Sequence, residues 1–129
     1  MTPTEPLIAI VDDEESICRA LGRLIRSAHL DAETFSDGDE FLETMPDHRP
    51  DCVVLDLHMP KADGFRVQAF LAQSGLRIPV IVITGRDTPQ TRARALANGA
   101  VAYFRKPVDG EALLDAIERA VSRKGRRQD

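Results

Sequence analysis

The chain has no tryptophan, one tyrosine at Tyr103, and only two cysteines, Cys18 and Cys52. Two thiols set far apart in apolar surroundings do not make a disulfide framework, and no metal-ligand spacing is found among them. They read as small core hydrophobes of a protein in a reducing compartment. Long apolar runs are also missing. The longest hold four or five residues, against the roughly 20 that a membrane-spanning helix needs. Met1 to Pro6 lacks the basic start of a secretory signal, and the apolar run from Leu7 ends abruptly at Asp12 and Asp13. No membrane association is expected, and the expected location is cytoplasmic.

An excess of positive charge is likewise absent, since 17 Lys and Arg against 21 Asp and Glu leave −4. This disfavours direct nucleic-acid binding by the domain, because such affinity comes largely from neutralising phosphates. Basic residues gather only at the C-terminal end, as Arg119, Arg123, Lys124, Arg126 and Arg127. There they complement a helix dipole; a stub leading toward an effector domain is the sharper reading of the same residues. Lysine itself is scarce, with Lys61, Lys106 and Lys124 alone, so each calls for a reason. At 129 residues, 43% hydrophobic and 29% charged, the chain fits one globular domain. Its expected bounds are 7–121, with 1–6 as an N-terminal extension and 122–129 as a basic tail.

Four short apolar runs, Leu7 to Val11, Cys52 to Leu55, Val80 to Ile83 and Val101 to Phe104, are too short for helices and partly β-branched or aromatic. They predict strands buried on both faces, as in a parallel sheet. Asp31 to Phe35 alternates instead, which suits an edge strand. Helical spacing separates the strands. Ile17, Leu21, Leu24, Ile25 and Ala28 form one apolar stripe, with Asp12 to Ser16 supplying acidic and capping residues. A second helix is expected from Asp37 to Met45, stopping before Pro46 and burying Phe41, Leu42 and Met45. A third runs from near Gly64 to Gly75 and carries Phe65, Ala69 and Phe70. The fourth covers Pro89 to Asn98, with Asn98-Gly99 as its left-handed stop. Asp109 opens the fifth, which carries Leu113, Leu114, Ile117, Ala120 and Val121. Alternation of this kind predicts a right-handed, doubly wound α/β fold. The fourth helix has only Ala93, Ala95, Leu96 and Ala97 to bury, so it is expected to move most easily.

In such sheets functional groups gather beyond the carboxyl ends of the strands. Asp12 and Asp13 follow the first strand, Asp56 the third, Thr84 the fourth and Lys106 the fifth. Each alone is ordinary, since acid pairs cap helices and an Asp at a strand end is usually a turn former. Their joint placement at one sheet edge is what points to chemistry. Three carboxylates and one ammonium leave an excess of negative charge that calls for a cation. A hard divalent ion ligated by oxygen, Mg²⁺, answers this. Asp56 is then the nucleophile candidate, because a carboxylate is already ionised at neutral pH and needs no general base. Asp12 and Asp13 are left to hold the metal. Lys106 would pair with one oxygen of a phosphoryl group and Thr84 would donate its hydroxyl to another.

The motifs Val11-Asp12-Asp13-Glu14, Leu55-Asp56-Leu57-His58-Met59-Pro60, Asp63-Gly64, Ile83-Thr84-Gly85 and Lys106-Pro107 stand in a specific order and spacing. With them the chain resembles, from about Leu7 to Val121, the receiver domain of bacterial two-component response regulators. Thr84-Gly85 and Lys106-Pro107-Val108-Asp109 are similar to the FixJ-like branch of that family. The resemblance implies a flavodoxin-like (CheY-like) (βα)5 fold of strand order 2-1-3-4-5. It implies that Asp56 takes a phosphoryl group from a sensor histidine kinase or a histidine phosphotransfer protein. It further implies Mg²⁺ (or Mn²⁺) held by Asp13, Asp56 and the backbone carbonyl of His58, with Asp12 helping through water. Thr84 and Tyr103 would be the switch pair, Lys106-Pro107 a cis peptide, and helix four, strand five and helix five the output face. Homodimerisation on activation belongs to the same set of implications.

His58, two residues after Asp56, and Arg86, two after Thr84, border the expected phosphoryl site and are candidates for tuning the lifetime of an acyl phosphate. For His58 the plainer reading is a solvent-facing side chain that supplies only its carbonyl. The family role is that of a phosphoacceptor signalling domain and not of an enzyme, with output left to a partner or to an effector domain outside these residues. Two alternatives use the same residues. An aspartate-nucleophile phosphohydrolase would usually carry a second acid where His58 stands. A phosphorylation-independent docking module would have no use for Asp12, Asp13, Asp56, Thr84 and Lys106 together. A flavin-binding protein of similar topology would not place Asp12-Asp13-Glu14-Glu15 in its phosphate loop.

Overall fold

Strand and helix alternate without exception along the chain: β1 (Leu7–Val11), α1 (Glu15–Ser27), β2 (Asp31–Phe35), α2 (Gly38–Glu43), β3 (Cys52–Asp56), α3 (Gly64–Ser74), β4 (Val80–Thr84), α4 (Pro89–Ala97), β5 (Ala102–Arg105) and α5 (Gly110–Arg126). The computed structural model describes residues 5–45, 47–59 and 63–126. Pro46, Pro60, Lys61, the first four residues of the N-terminal extension and the last three of the basic tail lie outside the described residues. The strands form one parallel sheet in the order β2-β1-β3-β4-β5, which is the doubly wound topology expected from the sequence. One row of the register reads Thr34, Ile10, Val54, Ile81 and Ala102 across the sheet.

Burial explains why the central strands are continuously apolar. β3 and β4 are buried at every position because helices cover both faces. Ile8, Ile10, Cys52, Val54, Ile81 and Ile83 pack with Leu21 and Ile25 of α1 and with Leu113 and Ile117 of α5. The alternate residues Ala9, Val11, Val53, Leu55, Val80 and Val82 pack with Phe41, Val67, Leu71 and Ala95 on the opposite side. β2 alternates as an edge strand should.

Three expectations need correction. The run Val101 to Phe104 is apolar but not buried on both faces: Val101 is 48% exposed and β5 has no fully buried residue, because it forms the second edge of the sheet. On α3 the buried face is Gly64, Val67, Gln68 and Leu71, while Phe70 is 41% exposed. α5 continues to Arg126, so residues 122–126, expected as the start of a tail, belong to the helix.

Helix ends follow their side chains. Asp37, Asp63 and Thr88 accept N-cap bonds from Glu40, Arg66 and Thr91 N–H groups. Gly75 and Gly99 supply the positive φ that ends α3 and α4. Among the residues of α4 only Ala95 is buried, fewer than expected. What holds this helix instead is polar. Gln68 of α3, 2% exposed, donates from Nε2 to the Ala95 carbonyl at 3.0 Å, and the Arg94 guanidinium lies 3.9 Å from the Phe65 ring centroid.

After α1 the left-handed position falls to a non-glycine residue, His29, at φ 63°. Its N–H bonds the Arg26 carbonyl and the Leu30 N–H the Ile25 carbonyl, both completing a Schellman turn. A Cβ is costly in that conformation, and His29 is exposed. His29→Gly is expected to raise stability by about 0.5 to 1 kcal/mol, read as a higher denaturation midpoint at unchanged slope.

Candidate functional site

The register continues past the strand ends. Val11 lies beside Leu55, so the next residues, Asp12 and Asp56, emerge side by side from the two central strands. Asp56 in turn pairs with Ile83, next to Thr84, and Thr84 pairs with Arg105, next to Lys106. Four strands thus deliver Asp12, Asp13, Asp56, Thr84 and Lys106 to one edge.

Asp12 and Thr84 are fully buried and Asp56 is 3% exposed, while Asp13 reaches solvent. One carboxylate oxygen of each of Asp12, Asp13 and Asp56 lies within 4.8 Å of the others. The Lys106 ammonium sits among them, 2.9 Å from Asp12 Oδ2 and 3.6 Å from Asp56 Oδ2. Backbone groups hold the carboxylates: Asp12 Oδ1 accepts from Glu14 N–H at 2.9 Å and Asp56 Oδ1 from His58 N–H at 3.2 Å. The Lys106–Pro107 peptide is cis, and Lys106 N–H donates to the Thr84 carbonyl at 2.8 Å, which ties β5's end to β4. Gly64 lets α3 approach the acceptor strand closely. A Cβ there would lie 2.7 Å from the Asp56 carbonyl oxygen and 2.7 Å from Leu57 Cα, so any side chain would drive α3 away from Asp56.

Charge is crowded here. Burial raises the Asp56 carboxyl to about 6, with the Asp12 charge adding to the rise and Lys106 opposing it. Burial also raises Asp12, against the pull of Lys106 and the Glu14 N–H. For Lys106 burial works against the ammonium, but contact with Asp12 and Glu14 and the Asp56 charge outweigh it and hold the group above its ordinary range. Asp12 Oδ2 is buried and paired with the Lys106 ammonium at 2.9 Å, so one cation already faces a cluster of three carboxylates. An all-oxygen donor set that carries three carboxylates against one ammonium fits a hard divalent cation. Asp12, Asp13 and Asp56 are the side chains that could hold it.

Thr84 Oγ1 accepts from Arg86 N–H at 3.0 Å, which leaves its hydroxyl hydrogen available to donate. The Arg86 and His58 side chains are both exposed. Tyr103 stands on the same sheet face as Thr84, opposite Val82. Its hydroxyl donates to Asp87 Oδ1 at 3.0 Å and its ring lies 5.4 Å from the Arg92 guanidinium. Burial and the Asp87 bond push the phenol up to about 12. Cys18, whose Sγ donates to the Asp12 carbonyl, is pushed up to about 11 by burial and then by Asp12, so it stays a thiol.

Two participants escaped the sequence reading. Glu14, expected as part of a capping segment and of the Val11-Asp12-Asp13-Glu14 motif but with no role of its own, makes no side-chain cap and instead accepts from Lys106 Nζ at 2.9 Å. Gln68 was hidden between the apolar Val67 and Leu71. Only its place one turn after Gly64, on the apolar side of α3, could have marked it.

The family model of the response regulator receiver domain matches residues 8–118. Among curated proteins the chain is 37% identical over 121 residues to the response regulator protein TmoT of Ectopseudomonas mendocina, covering 94% of this chain and 55% of that protein. It therefore spans about half the length of that relative. Among solved structures, a response regulator receiver protein from Burkholderia phymatum is 42% identical with a TM-score of 0.81, covering 92% of this chain and 96% of that one. The crystal structure of FixJ-N is 31% identical with a TM-score of 0.83, covering 95% and 96%. The order of the strands, the carboxylates at their ends and these matches lead to one conclusion: the chain belongs to the family of response regulator receiver domains.

Proposed function

We propose that this domain receives a phosphoryl group on Asp56 from the phosphohistidine of a sensor histidine kinase or a histidine phosphotransfer protein. The observation that carries this reading is the meeting of Asp12, Asp13 and Asp56 oxygens within 4.8 Å, with the Lys106 ammonium 3.6 Å from Asp56 Oδ2. An Asp56 Oδ attacks phosphorus, the phosphorus–nitrogen bond breaks, and its electron pair returns to the imidazole, which takes up a proton. The product is an acyl phosphate on Asp56. Asp12, Asp13, Asp56 and the His58 backbone carbonyl would hold Mg²⁺ or Mn²⁺, which when bound offsets negative charge on the carboxylates and on the phosphoryl oxygens.

Lys106 is positioned to pair with one phosphoryl oxygen and Thr84 to donate its hydroxyl to another. Turning of that hydroxyl vacates space beside β5, and the Tyr103 ring moves inward as its bond to Asp87 is given up. Output then passes through the face formed by α4, β5 and α5, by partner binding or by homodimerisation on activation, in the cytoplasm. The thin anchoring of α4 supports this reading, since an element with one buried residue costs little to re-seat. The receiver unit runs from Leu7 to the end of α5 at Arg126. His58 and Arg86 border the route of a hydrolytic water.

Asp56→Asn is expected to abolish labelling by a small phosphodonor such as acetyl phosphate in the presence of Mg²⁺, read as the loss of the mass increment of one phosphoryl group; persistent stoichiometric labelling would move the acceptor elsewhere. In Arg86→Ala the acyl-phosphate half-life is expected to change several-fold, and equal decay curves for variant and wild type would remove Arg86 from that role. A third outcome concerns pH. Because folding raises the Asp56 pKa from 3.8 to about 6, the folded state retains the proton that the unfolded state has lost. Its stabilising contribution is complete below the unfolded value and disappears as pH rises to about 6. Metal-free Asp56→Asn should therefore gain on wild type between about pH 4 and pH 6, by something on the order of 2 kcal/mol. Denaturation midpoints across that range with EDTA check it.

A further inference from the structure

Glu14 occupies the N-cap position of α1, yet its side chain caps nothing. It reaches instead across the sheet edge to Lys106, accepting from its Nζ at 2.9 Å. Three carboxylates surround that ammonium. Asp12 Oδ2 lies as close as Glu14 Oε1, both at 2.9 Å. Asp56 Oδ2, at 3.6 Å, is beyond hydrogen-bond range. The side chains of Asp12 and Asp56 are 0% and 4% exposed, whereas that of Glu14 is 56% exposed. The ammonium is therefore held between a buried carboxylate, Asp12, and one that reaches solvent, Glu14.

We infer that Glu14 is a positioning residue that draws the Lys106 ammonium toward the rim of the site, so that the Lys106–Glu14 bond competes with the bond from Lys106 to an incoming phosphoryl oxygen. This deepens the reading of Asp56 as phosphoacceptor and rests on it. A compact ammonium has three donors on a flexible stem. One donor directed at Glu14 orients the other two, and a phosphoryl group on Asp56 claims the ammonium from the opposite side. Releasing the Glu14 bond is then part of the cost of binding the phosphoryl group. Because the pair is more than half exposed on the Glu14 side, that cost is small, as for other exposed ion pairs.

The test is the affinity of the full chain for beryllofluoride, a stable phosphoryl mimic, at saturating Mg²⁺, followed by amide chemical shifts. Glu14→Ala should bind about two- to five-fold more tightly than wild type. Glu14→Asp should behave like Glu14→Ala, since it keeps the charge but loses one methylene of reach. Glu15→Ala, which removes an equally charged neighbour paired with Arg19, should bind as wild type does. Unchanged or weaker binding by Glu14→Ala overturns the inference while leaving the acceptor reading intact. Equal gains in Glu14→Ala and Glu15→Ala, or a Glu14→Asp that behaves as wild type, also overturn it, because general charge repulsion would then explain the effect. Wild type that fails to bind beryllofluoride overturns the reading of Asp56 itself.

Discussion

Like charges brought together at the end of a buried sheet are the constraint on which the rest of this molecule depends. Asp12 and Asp56 emerge from adjacent central strands with almost no contact with water, where their repulsion is screened little. Among the described residues Lys106 is the counter-charge at this edge, and its position is fixed by β5's end and by the Thr84 carbonyl. The core on both faces of the sheet holds those strand ends in register. Without that rigidity the three carboxylates would separate, and the site would lose the charge density that fits it to hold a cation.

The fold was legible because each local signal agreed with the global one. Central strands read as uninterrupted apolar runs because helices cover both faces, and β2 read as an edge because it alternates. Val101 to Phe104 misled for the same reason. Its apolar composition is that of a central strand, while its place at the sheet's second edge is decided by strand order, which no run of residues encodes locally. The extension of α5 to Arg126 is not legible from the pattern because the apolar stripe ends at Val121 and Gly125 disfavours helix.

The carboxylates, Thr84 and Lys106 could be found from sequence because parallel topology sends every strand's carboxyl end to one side. Glu14 and Gln68 could not, since their roles come from reach across space. A glutamate next to an acid pair looks like a helix cap until a lysine 92 positions away is seen to take its oxygen. A glutamine on an apolar helix face looks like an interruption until its amide is seen to meet a neighbouring carbonyl.

That glutamine contact has a mechanical consequence. α4 is joined to α3 by one amide hydrogen bond and one guanidinium stacked on a ring, both of which fade over a fraction of an ångström and both of which water can replace. Well-buried helices are locked in place because withdrawing their side chains leaves holes that the surroundings cannot refill. With Ala95 as its single seated side chain, α4 could rotate or slide along the sheet and vacate scarcely more than a methyl group's volume, so its mobility would be governed by directional tethers and not by cavity formation.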